Sequence, residues 1–305
     1  MSASGSSTAP MLGVVNLDKP VGPTSHDMVG LMRRLTGIRR IGHAGTLDPL
    51  ASGVLPILVG AATRFSEELT GGRKRYEAVL RLGGTSATDD AEGPITPVDA
   101  PLPDESAIRA ALPHFVGTFE QRPPTFSARK HEGRIAHRAA RSGEPIEVPP
   151  RVVTVESIDI FDIVAGAGTV DVRIDLRCGA GTYVRSIARD LGQRLGCGGY
   201  LASLRRTEAA GLSADDSVTP ARLEELATAG RLPEAVLPVG DVLPLPRVVL
   251  SDDEGRRFRH GSTLPVSTKA DGRVAVFAGG ALLGVGVVAA GLLQPDKVLP
   301  PEPGV

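Results

Sequence analysis

The sequence is short of cysteine, of long apolar runs and of net charge, and each shortage argues against a class of protein. Its only two cysteines, Cys178 and Cys197, cannot build a disulfide framework, so we expect a reducing compartment, the cytoplasm. Residues 1–10 carry neither a basic nor an apolar signal segment, and no run of about 18 apolar residues occurs, so neither export nor a membrane span is expected. A formal net charge of −1 gives no general electrostatic case for nucleic acid.

The composition that is present, 41% hydrophobic and 23% charged residues in a chain of 305, is typical of a globular protein with one large core and a small second domain. Basic side chains occur in short clusters, which are more often solvated faces than binding surfaces. Any nucleic-acid surface would therefore be a local patch. The clusters include Arg33–Arg34, Arg39–Arg40, Arg73–Arg75, Arg129–Lys130, Arg205–Arg206, and Arg256–Arg257 with Arg259.

Three helices are indicated by their caps. The first is expected between Thr24 or Ser25 at its start and Gly37 at its end. A second follows a glycine-rich turn, with Thr182 as its expected cap. A third begins at Thr219–Pro220, a cap followed by proline in the first turn.

Alternating apolar residues predict strands over Tyr76–Leu82 and Val170–Leu176, with Tyr76 opening the first. Neither an internal repeat nor a regular strand–helix succession is present, which favours an α+β domain around a mixed or mainly antiparallel sheet. A small C-terminal β domain is predicted from three short strand-like segments. These are Val248–Leu250, Val274–Phe277 and Ala281–Val288, the last two joined by Gly279–Gly280.

The most unusual stretch is Gly42–Leu55, in which Asp48 lies among glycines and is followed by Pro49. A residue before proline avoids the helical conformation, so Asp48 should be presented from an extended or turning loop. Taken alone, this pattern favours an aspartate that stabilises its own turn over a catalytic one.

A family resemblance changes that balance. Gly42–Arg64, with the sequence GHAGTLDPLASGVLPILVGAATR, resembles the signature of the TruB pseudouridine synthases, and Leu17–Pro20 with Gly22 and Ser25 resembles their amino-terminal motif. The resemblance extends over about residues 11–210. Further matching segments are Lys74–Tyr76, Ser127–Lys130 with Gly133, Gly181–Arg185, Asp190–Gly192, Leu195–Gly198 and Leu204–Arg206.

The resemblance implies that Asp48 is the catalytic carboxylate, which adds to a flipped-out uridine at uracil C6 or ribose C1′. Arg185 is implied to pair with Asp48 and to favour its anionic form. Tyr76 is implied to stack on the uracil and to take its C5 proton, directly or through water. Without the resemblance, a surface ion pair and a core tyrosine are the ordinary interpretations.

Further substrate-binding roles are implied for His43, Tyr183, Leu204 and Lys19. His43 is expected to insert into the RNA loop where the uridine leaves the stack, and Tyr183 and Leu204 to line the uracil pocket. Lys19 is expected to support the pocket or contact RNA. The candidates for contact with the RNA backbone are Arg129, Lys130, Arg205 and Arg206.

The family fold implies an α+β pseudouridine synthase domain over residues 11–246, with a mixed, mainly antiparallel sheet flanked by helices and an RNA-clamping insertion at about 120–150. Residues 1–10 are expected to be a disordered tail, and residues 247–305 a PUA-like RNA-binding β barrel with Arg256, Arg257 and Arg259 as phosphate candidates. Phe126 and His137 stand where tyrosines are expected in many relatives, which leaves the details of RNA contact in the insertion open.

The implied substrate is the T-loop uridine of tRNA, at position 55. We expect no cofactor, since the sequence has no zinc-ligand grouping, Walker loop or dinucleotide fingerprint. No membrane and no obligate protein partner are expected, and the chain should act as a monomer. Two alternatives remain: a non-catalytic RNA-binding module, and a carboxylate-dependent hydrolase in which Asp89 and Asp90 would supply a second acid.

Overall fold

The computed structural model describes residues 11–126 and 149–300, and the backbone of residues 130–131 and 134–135. Over these residues the chain forms a large α+β unit followed by a small β unit. Its helices are α1 (Ser25–Thr36), α2 (Ser66–Thr70), α3 (Glu105–Ala111), α4 (Val184–Arg194), α5 (Pro220–Thr228), α6 (Val239–Val242) and α7 (Asp252–Arg259).

The two strands predicted for the large unit are present and carry alternating burial over most of their length. The described strands of this unit number thirteen. They are β1 (Gly13–Lys19), β2 (Ile41–His43), β3 (Ala51–Val59), β4 (Lys74–Leu82), β5 (Gly84–Ser86), β6 (Ile95–Pro97), β7 (Gly117–Gln121), β8 (Lys130–His131), β9 (Arg134–Ile135), β10 (Arg151–Ala165), β11 (Val170–Cys178), β12 (Gly199–Ala209) and β13 (Leu212–Ser213). β4 begins two residues before the predicted Tyr76, because Lys74 and Arg75 already pair with β11.

One large sheet positions the site. Its described strands run in the order β1–β3–β12–β4–β11–β10–β7, with β2 beside β3 and β13 beside β12. β12 is parallel to β3 and the other pairings are antiparallel, so the prediction of a mixed, mainly antiparallel sheet is confirmed. One face of the sheet shares its core with apolar side chains of α1, α3, α4 and α5.

Two of the three predicted helix caps are present in the structure. Thr24 caps α1 in a capping box with Asp27, and Gly37 ends the helix at a φ of 70°. Thr219 caps α5 as predicted. The prediction for α4 is wrong: Thr182 donates its hydroxyl to the Gly179 carbonyl at 3.2 Å, and Tyr183 is the cap residue. No side chain caps α4, and the backbone of Tyr183 is bound by Gln121 of β7.

The C-terminal unit is the predicted small β domain. Five described strands form its sheet in the order β14–β16–β17–β18–β15, and a tight Gly279–Gly280 turn with positive φ at both glycines joins β16 and β17. No helix in the described part of the chain is both long and apolar enough to cross a membrane. The strands are β14 (Arg247–Leu250), β15 (Leu264–Pro265), β16 (Gly272–Ala278), β17 (Ala281–Ala289) and β18 (Leu292–Val298).

A shared apolar cluster attaches this unit to the large one. Phe277 of β16 and Leu299 belong to the same buried cluster as Leu58 of β3 and Phe65, next to α2. Glu68 of α2, whose side chain is almost completely buried, pairs with Arg273 of β16 and with Lys297 of β18. The small unit is therefore held by both apolar packing and a buried carboxylate.

Candidate active site

Buried side chains form hydrogen bonds with the backbone of the loop that carries Asp48. The Ser25 hydroxyl accepts from the Leu47 amide at 2.8 Å and donates to the Leu47 carbonyl at 3.0 Å. On the far side, the Arg206 guanidinium donates to the Gly45 carbonyl at 3.0 Å and to the Val54 carbonyl at 2.7 Å. The backbone on both sides of Asp48 is thereby fixed, as the geometry of a reacting carboxylate requires.

Lys19 lies behind the same loop and not in the pocket. Its side chain is completely buried, and Nζ donates to the Pro20 and Pro23 carbonyls at 2.8 and 2.7 Å, with the Pro49 carbonyl at 3.5 Å. Burial lowers the Lys19 pKa to about 8, and the nearby Asp48 opposes that shift. These contacts favour the supporting role predicted for Lys19 over contact with substrate.

Arg185, in the first turn of α4, joins four acceptors. Its Nη2 lies 3.0 Å from the Asp48 carboxylate and donates to the Phe126 carbonyl at 3.1 Å. Its Nη1 lies 3.2 Å from the Asp90 carboxylate and donates to the Thr88 carbonyl at 3.0 Å. The Arg185 side chain is 6% exposed and that of Asp48 is 37% exposed, so Asp48 is the member of the network that faces the pocket.

The second carboxylate on Arg185 belongs to a folded loop between β5 and β6. The Thr88 hydroxyl donates to Asp90 Oδ1 at 2.5 Å and the Glu92 amide donates to the same oxygen at 3.1 Å. The neighbouring Asp89 has a φ of 62° and pairs with Arg189 of α4 at 2.8 Å. Asp90 is thus locked in place to hold Arg185, and this loop is not the free acidic pair that a hydrolase would use.

Burial and the charges of neighbouring residues together set the pKa of Asp48. Its enclosure by protein raises its pKa, the Arg185 guanidinium opposes this rise, and the Asp90 carboxylate adds to it. Because one guanidinium is shared by two carboxylates, it does not fully offset the cost of burying Asp48. The expected effect of Arg185 on the charge of Asp48 is present, but burial outweighs it.

Asp48, Tyr76, Tyr183, Arg185 and Leu204 line one pocket of ≈310 Å³. This volume lies at the small end for ligand sites and suits a single nucleoside. Tyr76 of β4 is 6% exposed, and its burial raises the pKa of its phenol while the Arg206 charge opposes that rise. The structure therefore brings together the five residues that the sequence analysis placed around the uracil.

Arg205 and Arg206 of β12 were predicted to contact the RNA backbone, but both guanidinium groups bind protein groups instead. Arg206 lines the pocket but is 1% exposed and its guanidinium is bound to loop carbonyls, which leaves it little freedom to contact the RNA backbone. Arg205 alternates to the other face of the sheet, where it makes two hydrogen bonds of 3.0 Å to Asp18. Arg129, the Lys130 side chain and His137 lie outside the described residues.

The segment that leads into the insertion is hydrogen-bonded to the start of α4. The buried Gln121 amide accepts from the Tyr183 amide at 2.8 Å and donates to the Tyr183 carbonyl at 3.0 Å. The Arg122 carbonyl accepts from Ser186 of α4 at 2.8 Å. Together with the Arg185 bond to Phe126, these contacts fix the start of the insertion against α4.

His43 lies in an open groove beside the pocket. Gly45, Thr46 and Thr70 line both the groove and the pocket, so the two are continuous. Burial lowers the pKa of His43, and the Arg206 charge lowers it further, so the ring is neutral at pH 7. A neutral imidazole beside a nucleoside-sized pocket is suited to stacking.

The arrangement supports covalent catalysis by a single carboxylate. An ionised Asp48 at the pocket wall can add to an electrophilic carbon and leave again, while Arg185 holds its orientation. Tyr76 provides a hydroxyl and a flat ring in the same pocket. Among the described residues, no group of three or more potential side-chain ligands could hold a metal ion.

Asp90 gives the first testable prediction. Asp90→Asn keeps the shape of the side chain but removes a charge that raises the Asp48 pKa, so the acid limb of the kcat/KM profile should move to lower pH. At neutral pH, turnover should fall about tenfold or more, because Arg185 loses a charged anchor. Asp89→Asn is the matched control, since asparagine tolerates the left-handed backbone; equal profiles for both variants would contradict the role of Asp90.

Asp90, Gln121 and Ser25 are site residues that the sequence analysis missed or assigned only to local structure. Ser25 was expected to be a helix cap, and Asp90 was weighed only as a hydrolase acid. The motif match around Ser25 was the signal that could have identified it. No sequence signal linked Asp90 to Arg185, which lies 95 residues away.

Family descriptions match almost the whole chain. Residues 33–184 match the TruB family pseudouridylate synthase N-terminal domain, residues 185–244 the tRNA pseudouridylate synthase B C-terminal domain, and residues 246–299 the TruB C-terminal domain of pseudouridine synthase II. The chain is 43% identical over 289 residues to a tRNA pseudouridine synthase B of Dechloromonas aromatica, with 94% of this chain and 95% of the relative covered. With the corresponding Synechococcus sp. WH7803 protein it shares 45% over 303 residues, covering 95% and 98%.

Solved structures show the same fold. A chain of an H/ACA ribonucleoprotein bound to a substrate RNA containing 2′-deoxyuridine matches with a TM-score of 0.73 at 25% identity, covering 96% of this chain and 87% of that one. An archaeal box H/ACA Nop10–Cbf5 complex gives 0.72 at 26%, covering 97% and 88%. The expected synthase domain with a PUA-like C-terminal unit is therefore confirmed. With these matches and the pocket around Asp48, the chain belongs to the TruB family of pseudouridylate synthases.

Proposed function

We propose that this protein isomerises uridine to pseudouridine in tRNA, at the T-loop uridine of position 55. The observation that carries this proposal is the Asp48–Arg185 ion pair at the wall of a nucleoside-sized pocket. The relatives at 43% and 45% identity are tRNA pseudouridine synthases B, which supports tRNA as the substrate. The chain is proposed to act alone and without a cofactor, because isomerisation needs neither redox nor energy input.

In the proposed reaction Asp48 attacks the flipped-out uridine at C6 or C1′ and the N1–C1′ bond breaks. The uracil then turns so that C5 bonds to C1′, Asp48 leaves, C5 loses its proton and N1 gains one. Atoms and electrons balance within the nucleotide. Arg185 keeps Asp48 aligned throughout and limits the rise of its pKa.

Tyr76 is proposed to stack on the uracil and to take the C5 proton directly or through water. Its burial raises the pKa of the phenol, so the nearby Arg206 charge matters because it stabilises the phenolate. Tyr183 and Leu204 fill the remaining pocket wall. Such a site reads a base that has left the stack, and the fold of the T arm would determine which base is presented.

The two alternatives are less well supported. A carboxylate-dependent hydrolase would need a second accessible acid, but Asp90 is 2% exposed and bound to Arg185. A non-catalytic module would not need a pocket carboxylate paired with a guanidinium that is itself fixed by three further contacts. RNA binding by the C-terminal unit remains proposed; in α7, Arg256 pairs with Asp253, which reduces its availability for phosphate.

The proposed function is tested by mass-spectrometric mapping of pseudouridine in unmodified tRNA incubated with the purified chain alone. Product at the T-loop uridine and nowhere else is expected. A tRNA in which that uridine is replaced by cytidine is the matched control. Binding without any product would favour the module, and product at other sites would overturn the T-loop assignment.

His43 is proposed to occupy the space in the RNA loop left by the flipped uridine. His43→Ala should lower kcat/KM on an intact T arm about tenfold or more, because base–aromatic stacking contributes about 1–3 kcal/mol. His114→Ala, an exposed histidine outside the pocket, is the control. Equal turnover by wild type and His43→Ala across limiting RNA concentrations would contradict this role.

A further inference from the structure

Four cationic side chains line the pocket, and three of them are occupied by protein groups. Arg185 binds two carboxylates and Arg206 binds loop carbonyls. Lys74 Nζ donates to the Thr70 and Gly72 carbonyls at 2.8 and 2.9 Å. The fourth, Arg151, has no hydrogen bond or ion pair with any residue that the structure describes.

The backbone of Arg151 is fixed in the sheet, and its guanidinium lies next to a glycine. Arg151 is the first residue of β10 and pairs with Gln121 of β7. Its guanidinium lies against Gly181, where a Cβ would come within 2.1 to 2.4 Å of three guanidinium atoms. Gly181 also has a φ of 84°, which favours glycine at this position, and the missing Cβ leaves room for the guanidinium as it lies here.

Within the described part of the chain no group pairs with this guanidinium, which leaves it open to a ligand. Its Nε is buried without a partner, and such a donor costs about 1–3 kcal/mol unless a ligand satisfies it. A guanidinium presents a planar fork of donors that matches phosphate oxygens. At the same pocket the Arg185 network carries two carboxylates against one guanidinium, so a substrate phosphate would be repelled there and attracted to Arg151.

We propose that Arg151 binds a backbone phosphate of the flipped-out uridine nucleotide, and that Gly181, which lacks a Cβ, leaves the guanidinium room to lie at the pocket wall. This inference rests on the proposed function. Arg151 would anchor the sugar–phosphate side of the nucleotide while Asp48 and Tyr76 act on its sugar and base. The contact is independent of RNA sequence, since every nucleotide carries the phosphate.

The test uses a T-arm stem-loop RNA with a neutral methylphosphonate either 5′ or 3′ of the target uridine. With wild-type protein, one of the two modifications should lower kcat/KM about ten- to a hundredfold, the range of a charge-assisted hydrogen bond. Arg151→Met should show a similar loss on unmodified RNA, no further loss on that modified RNA, and a salt slope smaller by about 1. Arg109→Met, an exposed arginine paired with Glu105 outside the pocket, should change none of these values.

The phosphate contact would be overturned if, at both methylphosphonate positions, the losses in kcat/KM from Arg151→Met and from the modified RNA were additive. Thermal melting shows whether Arg151→Met is folded; if it is not, Arg151→Lys keeps the charge without the fork and should show the same lack of additivity with a smaller loss. The wild-type protein separates the two proposals. Product on unmodified RNA with additive losses overturns only the Arg151 contact, whereas no product at all overturns the proposed function and the contact with it.

Discussion

Asp48→Asn should yield a folded protein that binds tRNA and forms no detectable pseudouridine. The amide keeps the shape of the side chain but is not a nucleophile, so a loss on the order of 10⁴-fold or more is expected. Affinity for tRNA should hold or rise slightly, because a negative charge is removed from a surface that meets phosphates. Filter binding and mass spectrometry on the same preparations measure the two properties separately.

Asp171→Asn is the matched control for this experiment. Asp171 of β11 pairs with Arg81 at 2.6 Å and does not line the pocket, so its loss should leave turnover nearly unchanged. Thermal melting of both variants checks that they are folded. Substantial turnover by a folded Asp48→Asn protein would overturn the mechanism, and loss of both binding and turnover would revive the interpretation as a non-catalytic module.

The sequence predicted those parts of the site that depend on neighbouring residues. The Thr24 cap and the Gly37 stop of α1 are local effects, and both are present. Pro49 correctly indicated a non-helical loop at Asp48. The grouping of Asp48, Tyr76 and Arg185 could be predicted only because the resemblance carried it, since nothing in their spacing places them in one pocket.

The roles that could not be predicted depend on segments far apart in the chain. Arg206 reaches the Gly45 carbonyl across 161 positions and Gln121 reaches Tyr183 across 62. An arginine in a basic pair is usually a surface residue. Parallel pairing of β12 with β3 nevertheless places Arg206 beneath the loop that carries Asp48. The position of Lys19 could likewise not be predicted, because it depends on backbone carbonyls that surround its ammonium only in the folded chain.

Arg185→Lys should lower turnover about a hundredfold and move the acid limb of kcat/KM to higher pH. Lysine keeps the charge but has no planar fork, so it cannot hold Asp48, Asp90 and the two carbonyls at once. Losing two charge-assisted hydrogen bonds accounts for a loss of this size. Arg189→Lys, four residues along the same helix and paired with Asp89, is the matched control.

The direction of the pH shift follows from the state in which Asp48 reacts. In the proposed reaction Asp48 attacks as an anion, so activity should be complete above its pKa and be lost as the pH falls through it. Burial already raises this pKa and the Arg185 guanidinium opposes the rise, so a lysine that no longer holds the hydrogen bond to Asp48 lets the pKa rise further. Asp90→Asn should move the same limb in the opposite direction. An equal loss at every pH for Arg185→Lys, with an unmoved acid limb, would mean that Arg185 acts only by orienting Asp48.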